Sequence, residues 1–149
     1  MKIKKLTEHI GAEIFDIRID SLEQSEVDEI KDAWLAHKVL VFRNQPISVE
    51  AHIAFGKHFG ELEIHPFADN LEDYPEIIVL EAGGDSPRQN YNAAQDWHID
   101  VSFREKPPLG SVLRGKTIPK HGGDTHFANA AAAYELSLIH ISEPTRPTP

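Results

Sequence analysis

The run Val39-Leu40-Val41-Phe42 constrains this chain more than any other stretch. Consecutive apolar residues, mostly β-branched or aromatic and closed by the turn-forming Arg43-Asn44-Gln45-Pro46, fit a short buried strand. Helical patterns lie on both sides of it. Upstream, Ser25-Glu26-Val27-Asp28 has the form of a capping box with Asp in the Glu position, and Val27, Ile30 and Trp34 share one helical face, so a helix is expected from Ser25 to near His37. Downstream, Ser48 caps a second helix reaching about His58, with Gly60 placed for a left-handed C-terminal cap.

Shorter stretches read as further strands: Ile3 to Leu6, Ala12 to Ile19, Ile77 to Leu80 and Ser111 to Gly115. Ala82 to Ala94 is a polar loop bearing Gly and Pro, and Lys106-Pro107-Pro108 interrupts regular structure. Gly122-Gly123-Asp124-Thr125 forms a tight turn, after which Asn129 opens an alanine-rich helical start, Ala130 to Tyr134. Strands mixed with two early helices, without internal repeat or linker, suggest an α+β fold around a predominantly antiparallel sheet. A chain of 149 residues suits one domain with a core of its own.

Charge and composition narrow the function. Fifteen basic and 24 acidic side chains give a net charge of −9, with no basic cluster beyond Lys2, Lys4 and Lys5. That balance argues against nucleic acid and anionic membrane as partners. The absence of cysteine excludes disulfides, thiolate metal sites and a thiol nucleophile. MKIKKLTEHIGAEIF lacks the apolar core of a signal peptide and no run approaches membrane-spanning length, so a cytoplasmic location is expected.

Gln95 to Phe103, QDWHIDVSF, carries the candidate chemistry. His98 and Asp100 stand two apart among the β-prone Trp97, Ile99, Val101 and Phe103, so in a strand they project from one face. Such a pair can grip one metal ion; the plainer alternative is a hydrogen-bonded pair at a strand end. H-x-D alone is short enough to arise by chance. His52 and His58, six apart on the second helix, have poor same-face spacing and are expected in solvent; His121 and His126 merely flank the Gly-Gly turn. Trp34 and Phe42 read as core.

Four blocks in order resemble the taurine dioxygenase family, iron(II)- and 2-oxoglutarate-dependent oxygenases related to the 2,4-dichlorophenoxyacetate dioxygenases. They are Val39 to Gln45; Phe59-Gly60-Glu61-Leu62 followed by His65-Pro66; Trp97-His98-x-Asp100-x-x-Phe103; and Gly122-Gly123-Asp124-Thr125 with Ala132-Ala133-Tyr134-Glu135. The resemblance implies a double-stranded β-helix (jelly-roll) core with N-terminal helices, truncated here. It also implies iron(II), 2-oxoglutarate as cosubstrate and dioxygen. His98 and Asp100 would be the first two iron ligands, Asp100 ionised and His98 neutral, so metal affinity should fall in acid. Thr125 matches the position whose hydroxyl contacts the cosubstrate carboxylate; a turn-end threonine bonded to backbone is the alternative. The family's third ligand, a histidine, and the arginine that pairs with 2-oxoglutarate lie farther downstream than this sequence reaches.

His65 matches the position facing the substrate sulfonate in taurine dioxygenase, where a histidine donor suits a small anionic organic substrate; a surface histidine before Pro66 is the alternative. Ala68 and Ala94 stand where the family's taurine enzymes carry a tyrosine and an asparagine, and Asp96 replaces another asparagine. Losing polar contacts in a site built around hydrogen bonds changes discrimination strongly, so a sulfate ester, another sulfonate or another small anion is expected rather than taurine. An assembly of identical chains stays open for the complete protein.

The tail is of a different character. Leu136 to Arg146, LSLIHISEPTR, equals residue for residue the translation of a transposase adapter used in sequencing-library preparation. Residues 1–135 are therefore expected to be the N-terminal part of a dioxygenase catalytic domain and 136–149 a non-native extension without helical or strand continuation; a natural tail bearing Pro144, Pro147 and Pro149 is the alternative. A non-catalytic binding module with an incomplete metal site is the alternative. A zinc hydrolase built on His98 and Asp100 is disfavoured because no third ligand or base is evident.

Overall fold

The computed structural model describes residues 1–65, 70–80 and 97–140. Pro66, Ala68, Ala94, Gln95, Asp96, the loop at 82–94 and the tail at 141–149 lie outside the described residues. The chain divides into two compact units, Met1–Ala51 with Pro119–Pro149, and His52–Ile118.

The first unit is built on a three-stranded sheet, β1 (Lys2–Lys5), β2 (Ala12–Phe15) and β3 (Leu40–Phe42), in that spatial order. β1 and β2 pair antiparallel with Lys2 opposite Phe15. The turn between them closes through Leu6 N–H donating to Gly11 O (2.9 Å), with Gly11 at φ 87. β2 and β3 pair parallel, Ala12 opposite Leu40 and Ile14 opposite Phe42. Parallel neighbours require a crossover, and α1 (Gln24–His37) supplies it. The sheet is thus mixed, where a predominantly antiparallel one was expected; the long helical pattern between the two strands decides this.

Central β2 alternates as a half-buried strand should: Ala12 and Ile14 are buried while Phe15 is exposed. Val27, Ile30 and Ala33 of α1 are buried, and Ile17, Ile19 and Ile47 complete the core of this unit. Val39 to Phe42, expected to be fully buried, are only half-buried, because among the described residues β3 is an edge strand of the sheet, paired with β2 alone. Trp34 is half-buried as well. Its indole Nε1 donates to Lys38 O (2.9 Å) at the end of α1, where Lys38 turns to φ 67.

Two local expectations are corrected. α1 is capped by Glu23 with Glu26, Glu23 N–H donating to Glu26 Oε2 (2.9 Å), rather than by Ser25 with Asp28; Asp28 instead accepts from Gln24 Nε2 (2.9 Å). The stretch Ala12 to Ile19 is not one strand. Asp16 takes φ 58 and ends β2, and the continuation is held by a side chain in place of a ladder. Gln45 Oε1 accepts from Ile19 N–H (3.2 Å) while Gln45 Nε2 donates to Ile17 O (3.1 Å) and Arg43 O (3.2 Å).

Lys2 Nζ contacts Asp16 Oδ2 at 2.8 Å. This hydrogen-bonded pairing holds the Asp16 carboxyl below its ordinary value and raises the Lys2 ammonium. Arg18, hydrogen-bonded to Asp20, lowers that carboxyl likewise.

α2 (Val49–Lys57) opens where expected, Ser48 Oγ accepting from Ala51 N–H (3.1 Å). It ends in tight turns, with Phe59 N–H donating to Gly56 O (3.0 Å) and Gly60 at φ 148 rather than in the compact left-handed cap. In the second unit Phe55 packs edge-on against Phe59, ring centroids 5.3 Å apart. A Cβ added to Gly56 would stand 3.0 Å from Leu62 Cδ2. A hairpin of β4 (Asn70–Leu71) and β5 (Tyr74–Ile78) follows, with Leu71 opposite Tyr74. The tight connection at Glu72-Asp73 sets the strand three residues earlier than the expected Ile77 to Leu80, and leaves Val79 and Leu80 exposed.

Neither Trp97 to Phe103 nor Ser111 to Gly115 forms a strand. A strand exists only where its backbone groups find a ladder, and no described segment pairs with these. The described residues consequently form sheets of three and two strands, not a jelly roll. α3 (Ala130–His140) starts at Asn129, whose Oδ1 accepts from Ala132 N–H (3.0 Å). It runs to His140, correcting the expectation that helical structure stops before Leu136. Among the described residues no helix is long and apolar enough to cross a membrane.

Candidate metal centre

His98 and Asp100 do meet, though not on a strand face. Trp97 to Ile99 is non-helical chain without a ladder, and a turn begins at Asp100, with Arg104 N–H donating to Val101 O (3.3 Å). Val101 sits at φ 52. A β-branched residue in that region is strained by roughly 1–3 kcal/mol, and the turn it permits brings the two side chains together. His98 Nε2 lies 3.2 Å from Asp100 Oδ1, both side chains being about half exposed (53% and 56%). The second carboxylate oxygen is engaged as well, since Ser111 Oγ donates to Asp100 Oδ2 at 2.9 Å.

The spacing suits a metal. Two ligand atoms each about 2.1 Å from a cation and at right angles to one another are about 3 Å apart, close to the separation observed. An imidazole nitrogen and a carboxylate oxygen are also the donor types of a non-haem iron(II) site. Among the described residues no group of three or more His, Asp or Glu side chains is placed to hold a metal ion.

His65 belongs to the same unit and is half-buried. Its carbonyl accepts from Asn70 Nδ2 (3.2 Å), which ties it to the start of β4. Thr125 belongs to the first unit and is exposed, at the end of a turn in which Gly122 and Gly123 take φ 76 and 73. A Cβ on Gly123 would stand 3.1 Å from Pro119 Cγ, so that turn needs glycine on two counts.

Three contacts around the pair had no signature in the sequence. Ser111 reaches Asp100 across the Pro107-Pro108 break, a closure that no spacing rule foretells. Arg104 Nη2 contacts Glu63 Oε1 at 2.6 Å. His52, expected in solvent, is half-buried and its Nε2 donates to Val112 O at 3.0 Å; only His58 is exposed as expected.

Residues 2–137 match the family model for taurine catabolism dioxygenases, the TauD, TfdA family. The chain belongs to this family. The alkylsulfatase of Acinetobacter baylyi is 39% identical over 137 residues, covering 91% of this chain and 41% of the relative. The alpha-ketoglutarate-dependent sulfate ester dioxygenase of Pseudomonas putida is 35% identical over 139 residues, 92% of this chain and 43% of the relative. The alpha-ketoglutarate-dependent sulfonate dioxygenase of Saccharomyces cerevisiae is 32% identical, over 95% of this chain and 38% of the relative. Among solved structures, a taurine dioxygenase from Burkholderia xenovorans is 37% identical with a TM-score of 0.47, covering 50% of this chain and 27% of that one. The chain spans about two fifths of the length of the curated relatives it matches. His65, His98, Asp100 and Thr125 all fall within the stretch that matches the TauD, TfdA family.

Proposed function

We infer that this chain is the N-terminal part of an iron(II)- and 2-oxoglutarate-dependent dioxygenase that hydroxylates a small anionic organic substrate. The substrate class is a sulfate ester or a sulfonate other than taurine. The observation that carries the reading is the 3.2 Å approach of His98 Nε2 to Asp100 Oδ1, in a chain whose relatives include a sulfate ester dioxygenase and a sulfonate dioxygenase. His98 and Asp100 would hold the metal. Bound iron(II) supplies the one-electron chemistry that couples decarboxylation of the 2-oxo acid to hydroxylation of a C–H bond.

The side chains of this chain do the positioning. The Asp100 carboxylate and His98 imidazole would supply two of the metal's ligands, and a site of few protein ligands would keep room for cosubstrate and dioxygen. Thr125 offers its hydroxyl to a cosubstrate carboxylate. His65 offers a ring N–H to the anionic head group, a charge-assisted hydrogen bond. In the same reading residues 1–135 are the dioxygenase and 136–149 derive from adapter DNA; the continuation of α3 to His140 leaves the backbone without a mark at that boundary.

Re-sequencing the source DNA across codon 135 with a library of different chemistry, then expressing whatever frame continues, tests the reading. The complete protein should release succinate in the presence of an alkyl sulfate or sulfonate. Asp100→Ala should abolish turnover, His65→Ala should chiefly raise KM for the organic substrate, and the 149-residue chain alone should release none. Wild-type turnover by Asp100→Ala, or robust turnover by the 149-residue chain, would overturn it.

A further inference from the structure

We propose that Ser111 is a positioning residue that holds Asp100 to one-oxygen binding of a metal ion, and that His52 anchors Ser111 from α2. This rests on the metal reading above and deepens it.

A carboxylate beside a cation has two ways to bind, through one oxygen or through both. Rotation about the last side-chain bond of an aspartate exchanges its oxygens freely unless one of them is held. In this chain the two oxygens of Asp100 have separate partners: Oδ1 faces His98 Nε2 at 3.2 Å, and Oδ2 accepts the Ser111 hydroxyl at 2.9 Å. The oxygen aimed at the imidazole is the one placed to share a cation with it. The other is occupied by a donor, which withdraws it from the metal. One-oxygen binding conserves a coordination position, and a centre that must accept a two-toothed 2-oxo acid together with dioxygen needs every position that protein ligands leave.

The hydroxyl is itself located by a contact from a distant part of the sequence. Ser111 lies eleven residues after Asp100, beyond Pro107-Pro108, in chain that forms no ladder. His52, on α2, donates from Nε2 to the carbonyl of Val112, the next residue, at 3.0 Å. An element of regular structure thereby pins the segment carrying the donor. Hydrogen-bond partners that orient metal-binding side chains typically influence metal affinity by about 10–100-fold. The Ser111–Asp100 bond is solvent-accessible, which places the expected effect near the lower bound.

The test is a Co(II) titration of the 149-residue chain, read by paramagnetic broadening of the His98 ring-proton NMR signals, with far-UV circular dichroism as a check on folding. Ser111 is exposed, and removing an exposed hydroxyl leaves stability nearly unchanged. Ser111→Ala should need about tenfold more Co(II) for half-broadening. Ser111→Thr, which keeps the hydroxyl, should titrate like the parent, and His52→Leu should shift in the same direction by less. Asp100→Ala should remove the site. If Asp100→Ala broadens His98 as the parent does, the metal assignment itself falls and this inference with it. A parent chain that does not broaden at all overturns the inference, because Asp100 then takes up no ion for Ser111 to position. If Asp100→Ala loses the effect but Ser111→Ala titrates within twofold of the parent, the metal assignment stands and the role of Ser111 is overturned. Equal weakening in Ser111→Ala and Ser111→Thr also overturns it, because the hydroxyl then contributes nothing.

Discussion

Replacing Gln45 by alanine should loosen the chain at Ile17 to Ile19 without touching any core side chain. The amide of Gln45 bonds Ile19 N–H and Ile17 O in part-buried surroundings, and Arg43 O in an exposed one. Water takes over the exposed bond at little cost. The two part-buried backbone groups lose their partner where water reaches poorly, and each is penalised by about 1 kcal/mol, the low end for an unsatisfied buried group. The total is about 2 kcal/mol, equivalent to about a 30-fold change in an opening equilibrium. Amide hydrogen exchange at Ile19 reads this directly, because local opening sets its rate. Gln45→Glu makes the comparison specific: it keeps an acceptor for Ile19 N–H but sets a second acceptor against Ile17 O and Arg43 O, so Ile19 should lose at least the share of its protection that the Ile17 O bond carries. Unchanged exchange at Ile19 in Gln45→Ala would refute the claim that this side chain substitutes for a strand ladder.

Two further outcomes follow from the first unit. Ile30, 1% exposed in α1, should cost about 2–5 kcal/mol when cut to alanine; urea unfolding measures it, and a loss below 1 kcal/mol would mean that the helix is not seated as described. The Lys2–Asp16 contact should act on stability at both pH extremes. Asp16 has its carboxyl lowered from 3.8, so its contribution is present above pH 3.8 and is lost as pH falls through the lowered value. Lys2 is raised from 10.5, so its contribution is present below that pH and is lost as pH rises through the raised value. The pair is exposed, so the effect is small and screened by salt. Urea midpoints of the parent and Asp16→Asn should converge in strong acid and differ at neutral pH, and a difference that persists below both carboxyl values would exclude this cause.

The strand at 40–42, both early helices and the opening of the third were legible because each is specified by residues adjacent in sequence: an apolar run, a periodic face, a cap. The start of α1 moved because Glu23 and Glu26 cap it more fully than Ser25 can from inside the first turn. The family was legible too, since its blocks are local motifs, and the match over residues 2–137 bears this out. Less of the second unit was foreseen. Val79, Leu80, Trp97, Ile99, Phe103 and Leu113 are apolar, and patterning assigned them to strands, yet all are exposed. Patterning registers the preference for a pleated, half-buried surface; it does not supply the neighbouring strand that would make one.

The amino-acid sequence by itself determined which groups are available: His98 and Asp100 two apart, no thiol, an acidic surface, and glycine at the two left-handed positions before Thr125. Tertiary structure alone decided how those groups are held. His98 and Asp100 converge through a turn at Val101 rather than on a strand. The carboxylate is braced by a serine eleven residues away, and that serine's neighbour is tied to a histidine sixty residues before it. Periodicity reports the geometry of one element at a time. Contacts that close a loop depend on where the chain returns after a break such as Pro107-Pro108, and this is set by the sum of many packing interactions, none of them written in a local pattern.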